Sequence, residues 1–351
     1  MEIIRKQYSG IDIGKLICAV LVVILHAVET SSFFPCEIKF VFTRFAVPFF
    51  FMCSGFFFER GISQAADEKK YFIRYEKHLL IIFAIWTALY FPFTLASYIQ
   101  NNPGASVIKI TLLLIRRMFV IGAVPFWYLL AMILSVPFLY FCKKRENNKL
   151  LTIAVVLGLL LGLLYTCFQG ALSQFALYQY YRNAVYTVFS WEFNFIMYGI
   201  PFMGIGYLIS AFNVKVSVKV SATVLAVTTL LRLVEFNLPA IFPGEFWENN
   251  ELSVAFIFQA MAYFLLMKEI TPGIKKSTSL TIRSLSATIY YTHVFFLYEL
   301  LNPVLLEYTS LPVYADWMIA PKVIVALLLC VAFYITVRAI NNKKLNILIN
   351  G

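Results

Sequence analysis

Charged residues are scarce in this chain. Only 13% of its 351 residues are Asp, Glu, Lys or Arg, and 61% are hydrophobic. Soluble domains carry about 25% charged residues, so this balance excludes an ordinary soluble protein. The composition instead indicates a polytopic membrane protein.

The sequence also lacks the cysteine spacings of metal sites and disulfide frameworks. No C-x-x-C motif occurs, and the cysteines are scattered at Cys18, Cys36, Cys53, Cys142, Cys167 and Cys330. Most of them lie in apolar runs, where cysteine behaves as a small hydrophobic residue. We therefore expect no metal site and no disulfide bonds.

A cleavage pattern, internal repeats and long linkers are missing too. Arg5 and Lys6 precede the first apolar segment, as in a secretory signal peptide, but no A-x-A-like pattern follows it. We therefore expect this segment to be retained as the first membrane span. Because no repeat, low-complexity tract or long linker divides the rest, a single domain is expected over residues 1–351.

What the sequence does contain is a series of apolar runs of about 20 residues, the length that crosses a bilayer. They predict about ten transmembrane helices, at 11–29, 38–58, 78–99, 124–142, 150–168, 194–212, 217–235, 252–267, 283–301 and 318–340. Lys109, Arg116 and Arg117 interrupt a further apolar stretch, 106–121, which predicts an interfacial helix. The expected fold class is an all-α membrane helix bundle.

The basic residues predict the orientation of this bundle. If the N-terminus is inside, most Lys and Arg fall in inside segments, whereas the outside loops contain Glu245, Glu248, Glu251, Glu307 and Asp316. This bias follows the positive-inside rule, so both termini are expected in the cytoplasm of a multi-pass protein of the plasma or inner membrane. The same bias accounts for the net charge of +11, and no nucleic-acid partner is expected.

The first span carries ionisable residues along one stripe. Lys15 and His26 are eleven residues apart, which in a helix is three turns plus about 20°, with ~16 Å of rise. Asp12 falls within about 40° of that stripe. Ionisable groups at membrane depth usually face a bundle interior or a water-filled path. His26 is therefore either hydrogen-bonded between helices for packing or a general base or nucleophile.

Two more polar residues are expected at membrane depth. Arg44 enters the second span from outside at roughly the depth of His26, where it either snorkels to the interface or joins a site. His293 lies in the middle of the ninth span, and the sequence leaves open whether it makes a structural hydrogen bond or contacts a substrate. Trp127 and Tyr128, at the outer edge of the fourth span, are typical of an aromatic belt.

A basic segment precedes the third span. Arg74 and Lys77 are three residues apart and share one helical face. This pattern is typical of a lipid-facing anchor, but it also fits a polyanion site at the cytoplasmic mouth of the bundle.

Together these residues resemble the acyltransferase 3 family of membrane-bound acyl-transfer proteins, and within it the subgroup that includes the membrane domain of vancomycin-resistance serine racemases. The resemblance covers essentially the whole chain. It rests on motifs in a common order: Asp12 and Lys15 with His26, Arg44-x-x-x-Pro48-Phe49-Phe50, Ser54-Gly55, Arg74-x-x-Lys77, Phe126-Trp127-Tyr128, Asn194 with Pro201-Phe202 and Gly206, and Tyr290 to His293.

The resemblance implies a ten-helix bundle that transfers an acyl group, usually acetyl, from cytoplasmic acyl-CoA to an acceptor, often a sugar of an envelope glycan. Acyl-CoA is then a donor substrate, and no tightly bound cofactor is implied. The family's essential histidine corresponds to His26, its paired basic residue to Lys15 and its basic pair to Arg74 and Lys77. The family usually has Arg at positions 15 and 77, and often Arg where this chain has Phe193.

Two functional hypotheses follow. The first is a membrane O-acyltransferase with these roles: catalysis by His26; acyl-CoA binding by Lys15, Arg74 and Lys77; acceptor or oxyanion contact by Arg44 and His293; and support by Asp12, Trp127 and Tyr128. The second is a transporter or sensor of a small amino acid such as serine, in which Arg44 binds a carboxylate and no CoA site is needed. The expected partners are acyl-CoA, a glycan or other hydroxyl acceptor and the lipid bilayer, and the sequence leaves a homo-oligomer open.

Overall fold

A computed structural model describes residues 8–28, 36–121, 125–190, 193–241, 252–342 and 345–349. The secondary structure of these residues is helical, and no β-strand occurs among them. Several of the helices are long and apolar enough to cross a membrane. The predicted all-α membrane bundle is therefore confirmed as the fold class.

The helices are labelled in chain order. The first seven are α1 Ser9–Ala27, α2 Ala46–Ser63, α3 Glu68–Asn101, α4 Val107–Arg116, α5 Trp127–Lys144, α6 Asn148–Thr166 and α7 Gln169–Leu172. They are followed by α8 Ala176–Phe189, α9 Ile200–Ala211, α10 Val218–Ile241, α11 Val254–Glu269, α12 Lys276–Val294, α13 Asn302–Tyr308 and α14 Ile319–Ile340. Short π-helical turns occur beside or between these helices, at Ile38–Thr43, Arg117–Ile121, Phe195–Gly199 and Phe295–Leu301.

Each predicted span coincides with a helical segment. By length and apolar composition, six segments within the described ranges are candidates to cross a membrane: Ser9–Ala27, Ile38–Ser63, Glu68–Asn101, Trp127–Lys144, Asn148–Thr166 and Asp316–Ile340. The number of crossings and the side of the termini stay predictions. The interfacial helix predicted at 106–121 corresponds to α4 and the π-helical turn that follows it.

The charge pattern behind the predicted orientation lies partly outside the part of the chain that the structure describes. Arg5, Lys6 and the acidic residues Glu245, Glu248 and Glu251 lie outside the described residues. Glu307 and Asp316 lie within them, in α13 and at the start of the segment that leads into α14.

The sequence prediction missed α8. This helix has 14 residues, and its polar side chains leave no apolar window of about 20 residues. The hydroxyl groups of Tyr178 and Tyr181 donate hydrogen bonds to the carbonyl oxygens of Leu164 and Leu161 in α6, at 2.9 Å and 2.6 Å. Because α8 is held by polar bonds as well as apolar packing, hydropathy alone does not detect it.

Side-chain caps fix where several helices begin. The Asp67 carboxylate accepts a hydrogen bond from the backbone N–H of Lys70 at 2.8 Å, at the start of α3. The Asn194 side-chain oxygen accepts from the backbone N–H groups of Ile196 and Met197, at 2.9 Å and 3.0 Å. Such caps satisfy donors that lack a partner inside the helix. Asn194 therefore has a structural role.

The chain divides into two compact units. Unit 1 comprises Met1–Cys53, Val214–Phe236 and Val254–Gly351, and unit 2 comprises Ser54–Asn213 and Asn237–Ser253. The sequence-based candidates for the site are distributed over both of them.

In unit 1, α1 packs against α11, α12 and α14. A Cβ atom at Gly10 would overlap the carbonyl oxygens of Met267 and Ile270, and one at Gly14 would overlap side-chain atoms of Phe49 and Met267, so glycine permits this close approach. Part of the apolar core consists of Ala19, Val23, Ala27, Ile289, Leu297, Val323, Ala326 and Cys330. Asp12 of α1 is fully buried in this packing, whereas Lys15 and His26 are half-buried.

In unit 2, α5, α6 and α9 pack together. Gly55 lies so close to α9 that an added Cβ atom would overlap its backbone. The buried Glu59 carboxylate accepts hydrogen bonds from Ser63 at 2.7 Å and from Ser210. Lys143 donates to Ser63 at 2.8 Å. This polar network ties the C-terminal end of α2 to α5 and α9.

The predicted topology places Ala66 and Ser310 on opposite sides of the membrane, because an odd number of predicted spans separates them. Both residues are exposed in loops. In a background without the native cysteines, we expect Ser310→Cys to react with an impermeant maleimide in intact cells and Ala66→Cys only after permeabilisation. Equal labelling of the two sites in intact cells would contradict the predicted orientation.

Candidate functional site

Asp12 lies near the N-terminal end of α1 and is fully buried. Its carboxylate accepts hydrogen bonds from Arg283 of α12, from Nε at 3.1 Å and from Nη2 at 3.0 Å. The hydroxyl of Ser279 also donates to it. A carboxylate is stable in such an apolar setting only with partners of this kind. The pair fixes the first turn of α1 against α12.

Lys15 lies one turn further along α1 and is half-buried. Cys53, Arg283 and Asp12 are close enough to interact electrostatically with its ammonium group. The charged members of this group are two basic side chains and one carboxylate, so basic groups outnumber acidic ones among them. An anionic group of a ligand is the natural complement to that excess.

The two partners of the Asp12 ion pair differ in exposure. The Asp12 side chain is 0% exposed and that of Arg283 is 44% exposed. We therefore expect Arg283→Ala to lower the free energy of unfolding by about 3 kcal/mol more than Asp12→Asn does. The reason is that Arg283→Ala leaves a buried carboxylate without its counter-charge. Asp12→Asn leaves an arginine that can turn to solvent and keeps an oxygen for Ser279.

Thermal unfolding of the two purified variants in detergent measures this difference. Val22→Ala, which shortens a buried apolar side chain of α1, serves as the comparison for general loss of packing. Equal destabilisation by Arg283→Ala and Asp12→Asn would show that Asp12 does not depend on the arginine charge.

His26 lies in the last turn of α1 and is half-buried. The hydroxyl of Tyr298 donates to the carbonyl oxygen of His26 at 2.8 Å, and the hydroxyl oxygen lies 3.5 Å from His26 Nδ1. Since the single hydroxyl hydrogen is used on the carbonyl, the oxygen faces Nδ1 as an acceptor. This contact favours the tautomer of His26 with its hydrogen on Nδ1 and a lone pair on Nε2.

His293 lies in the last turn of α12 and is fully buried. Its Nδ1 is 2.8 Å from the carbonyl oxygen of Ile289. A carbonyl oxygen can only accept, so Nδ1 donates and Nε2 carries the lone pair. Within the described part of the chain, Nε2 has no hydrogen-bond partner. The ring centroids of His26 and His293 are 5.1 Å apart, with 46° between the ring planes.

Arg44 and Lys39 place positive charge near His26. Lys39 lies in the π-helical turn before α2, and Arg44 directly follows that turn. The Lys39 ammonium donates to the carbonyl oxygen of Val28 at 3.1 Å, and the Arg44 guanidinium lies 5.2 Å from the ring centroid of Phe40. Both cations are close enough to act electrostatically on His26.

Gln259 of α11 holds the π-helical turn that precedes Arg44. Its side-chain nitrogen donates to the carbonyl oxygen of Val41 at 3.1 Å and lies 3.0 Å from the hydroxyl oxygen of Thr229. Gln259 is buried, so these bonds form away from water. A buried amide therefore fixes the backbone from which Arg44 projects.

In unit 2, Arg74 and Lys77 lie on an exposed face of α3. This face forms a shallow open depression that is also lined by Asp67, Lys69, Lys70, Ile73, His78 and Ile81. Lysine and arginine outnumber the single aspartate among these residues. The face is therefore positive and accessible, as binding of a polyanion requires.

Trp127 and Tyr128 begin α5 of unit 2. The Trp127 ring lies 5.1 Å from that of Phe193 and 6.0 Å from that of Tyr198. Tyr128 is only 8% exposed, and its hydroxyl oxygen is 3.2 Å from that of Ser54. The aromatic-belt interpretation is wrong for Tyr128, because a belt residue faces the lipid headgroups whereas this side chain packs inside unit 2.

The predicted site residues fall into distinct groups. Unit 1 brings together Asp12 and Lys15 at one end of α1, and His26, His293 and Arg44 at the other. Unit 2 contains Arg74, Lys77, Trp127 and Tyr128. Because α1 is continuous, the ~16 Å rise between Lys15 and His26 applies.

No group of three or more His, Cys, Asp or Glu side chains within the described ranges could hold a metal ion.

Sequence reasoning missed Arg283, Ser279 and Tyr298. The signal that could have found Arg283 was Asp12, since a carboxylate at membrane depth requires a compensating partner. Tyr298 follows His293 by five residues and lies in the π-helical turn Phe295–Leu301. Turns of this kind are frequent at functional sites, but apolar periodicity does not indicate them.

Comparisons with known proteins cover nearly the whole chain. A family model described as an acyltransferase domain matches residues 8–338. The chain is also similar to two proteins of Enterococcus faecalis that are both named amino-acid racemase. One is 29% identical over 213 residues, which is 59% of this chain and 28% of the relative. The other is 24% identical over 300 residues, which is 82% of this chain and 41% of the relative.

This chain thus spans less than half the length of these curated relatives. No solved structure matches it. The family model nevertheless extends from the start of α1 into the last turn of α14 and includes every candidate site residue. The chain therefore belongs to the acyltransferase 3 family of helical membrane proteins, as its sequence motifs predicted.

Proposed function

We propose that this protein is an integral O-acyltransferase of the plasma or inner membrane. It moves an acyl group, most simply acetyl, from cytoplasmic acyl-CoA to an acceptor hydroxyl such as that of an envelope glycan sugar. Family membership supports acyl transfer in general. The observation that carries the proposal is the half-buried His26 beside a second, fully buried histidine.

His26 is the catalytic residue of this proposal. A neutral imidazole with a lone pair on Nε2 removes the proton of the acceptor hydroxyl, and general-base catalysis of this kind contributes about 10²–10⁴-fold. The hydroxyl oxygen attacks the thioester carbonyl carbon, the C–S bond breaks, and CoA leaves as the thiol once it has received the proton. Attack by Nε2 itself on the thioester is the nucleophilic alternative at the same atom.

Arg44 supplies positive charge next to this reaction. Negative charge develops on the carbonyl oxygen in the transition state, and a fixed cation stabilises it. The electrostatic contact with His26 and the position over the Phe40 ring support this role. The same guanidinium could orient an acceptor that is itself anionic.

Lys15, Arg74 and Lys77 bind the phosphate groups of acyl-CoA in this proposal, since phosphate oxygens form strong charge-assisted hydrogen bonds with cations. The excess of basic groups around Lys15 and the exposed positive face of α3 support the assignment. A pantetheine arm extended along α1 would cover the ~16 Å from Lys15 to the catalytic histidine. The buried Asp12 supports the site by fixing the first turn of α1.

A second candidate function is transport or sensing of a small amino acid such as serine. The similarity to proteins named amino-acid racemase favours it, and Arg44 offers a cation for a carboxylate. Because this chain spans less than half of those relatives, their named activity is not carried over to it. In this case no CoA site is required.

Reconstituted proteoliposomes distinguish the two candidates. We expect wild-type protein to release CoA thiol from acetyl-CoA in the presence of envelope glycan fragments, and to transfer radiolabelled acetyl to them. Parallel vesicles receive radiolabelled serine without acetyl-CoA. Serine accumulation without CoA release would reverse the order of the two candidates.

A further inference from the structure

We propose that His293 is the proton partner of His26. The proton that His26 removes from the acceptor hydroxyl passes to His293 and returns through His26 to the leaving thiolate. The inference rests on the proposed acyl transfer. Three observations carry it: an unused buried nitrogen, the adjacency of the two rings and the distribution of charge around them.

The unused nitrogen is Nε2 of His293. The ring is held through Nδ1 by the Ile289 carbonyl, and within the described residues Nε2 has no hydrogen-bond partner. Most buried polar atoms have a partner, and leaving one without it costs about 1–3 kcal/mol. A purely structural histidine would gain nothing from this arrangement, whereas a proton acceptor requires it.

The adjacency of the two rings lets them share one proton. Their centroids are 5.1 Å apart, so the two rings are direct neighbours. In the resting state each ring has its hydrogen on Nδ1, so each Nε2 has a lone pair and no hydrogen. The two Nε2 atoms therefore cannot form a hydrogen bond with each other. One added proton converts them into a charge-assisted N–H···N hydrogen bond. The pair is therefore suited to accept a single proton.

The surrounding charges favour passage of the proton away from His26. Arg44 and Lys39 both act electrostatically on His26, and their charges oppose a cation there. The Nδ1–H of His293 instead donates to the Ile289 carbonyl of its own helix. A carbonyl acceptor stabilises the charged form of a donor, so a proton taken up at Nε2 leaves His293 with a fixed partner at Nδ1.

The step balances without any further reactant. The acceptor O–H bond breaks, its proton goes to His26, and a bond forms between the acceptor oxygen and the acyl carbon. The His26 ring then turns its Nε2–H from the acceptor towards Nε2 of His293, which takes the proton while the carbonyl oxygen holds the negative charge. When the C–S bond breaks, the sulfur takes the electron pair and the proton, and both imidazoles return to neutral.

The variant His293→Asn tests this role, because its amide N–H can still donate to the Ile289 carbonyl but no basic nitrogen remains. Acetyl transfer from acetyl-CoA is measured to ethanol and to the more acidic trifluoroethanol. We expect transfer to ethanol to fall ~10²-fold, with a much smaller loss for trifluoroethanol and an unchanged KM for acetyl-CoA. A more acidic hydroxyl depends less on a base, so the variant should lose more of its transfer rate with ethanol than with trifluoroethanol.

Thr292→Val is the matched control, since Thr292 is a buried polar residue in the same turn of α12. It should leave the ratio of the two alcohol rates as in wild type. If His293→Asn slows transfer to both alcohols equally, or changes neither, the proton role is overturned and His293 is a structural residue.

A spectroscopic measurement does not depend on the folding of that variant. The chain has three histidines, so His78→Gln with ¹⁵N-labelled histidine leaves only the signals of His26 and His293. At rest, both rings should carry hydrogen on Nδ1. On acidification, uptake of the first proton should change the ¹⁵N chemical shifts of both rings at the same pH.

The charged and titratable side chains beside this pair include Arg44 and Lys39 near His26, Tyr298 near His26 and Tyr290 near His293. Separate titration of the two rings, or a hydrogen on Nε2 of His293 at rest, would overturn the proposal. Absence of acetyl transfer by wild-type protein would instead overturn the proposed function, and the proton role with it.

Discussion

His26→Ala is expected to reduce acetyl transfer from acetyl-CoA by at least ~10²-fold while the protein still folds and inserts. The reason is the loss of the single imidazole that is both half-buried on α1 and oriented by Tyr298. Release of CoA thiol by purified, reconstituted protein measures the effect. Binding of acetyl-CoA should change little, because the cations assigned to its phosphates are untouched.

Val22→Ala is the matched control for truncation in α1, since Val22 is buried in the same helix and carries no polar group. It should keep most of the activity. Activity of His26→Ala comparable to that of Val22→Ala would remove His26 from the chemistry and leave it as a packing residue between helices.

Reversal of both charges on α3, in Arg74→Glu with Lys77→Glu, should weaken acetyl-CoA binding by at least about tenfold. Both side chains are exposed on the positive face of α3, where carboxylates would repel phosphate. Lys77→Arg alone should preserve or tighten binding, because a planar guanidinium can contact a phosphate through two hydrogen bonds. Acetyl-CoA titration of the purified variants measures both effects.

Lys215→Glu with Lys219→Glu imposes the same change of net charge at two other exposed lysines and should leave the affinity unaltered. If the α3 reversal also leaves it unaltered, and instead lowers expression or disturbs insertion, then Arg74 and Lys77 are membrane anchors. The transporter or sensor hypothesis would then lead.

The features that the sequence predicted are those that depend on local periodicity. The apolar run of the first span predicted α1, and because that helix is continuous the spacing of Lys15 and His26 along it follows from helical rise alone. The family was likewise predictable, since its motifs recur in order along the chain. Each of these inferences needs only residues that lie close together in sequence or in a fixed order.

The contacts that complete the site could not be predicted in the same way. Asp12 pairs with Arg283 across 271 positions, and nothing in the periodicity of either segment specifies that partner. The adjacency of His26 and His293 depends on how α1 packs on α12 and on the π-helical turn that follows. Tyr128 appeared to be an interfacial residue because aromatic residues at span ends usually are, whereas its hydroxyl contacts Ser54 inside unit 2.

Use of acyl-CoA as the donor is tested most directly by thermal unfolding of the purified protein with acetyl-CoA or with free serine. A ligand at 100 times its Kd adds about 2.7 kcal/mol to the free energy of unfolding. We expect saturating acetyl-CoA to raise the unfolding midpoint of the wild type clearly more than that of the double reversal at Arg74 and Lys77, and serine to leave both unchanged. A midpoint raised by serine and unaffected by acetyl-CoA would contradict acyl transfer from CoA.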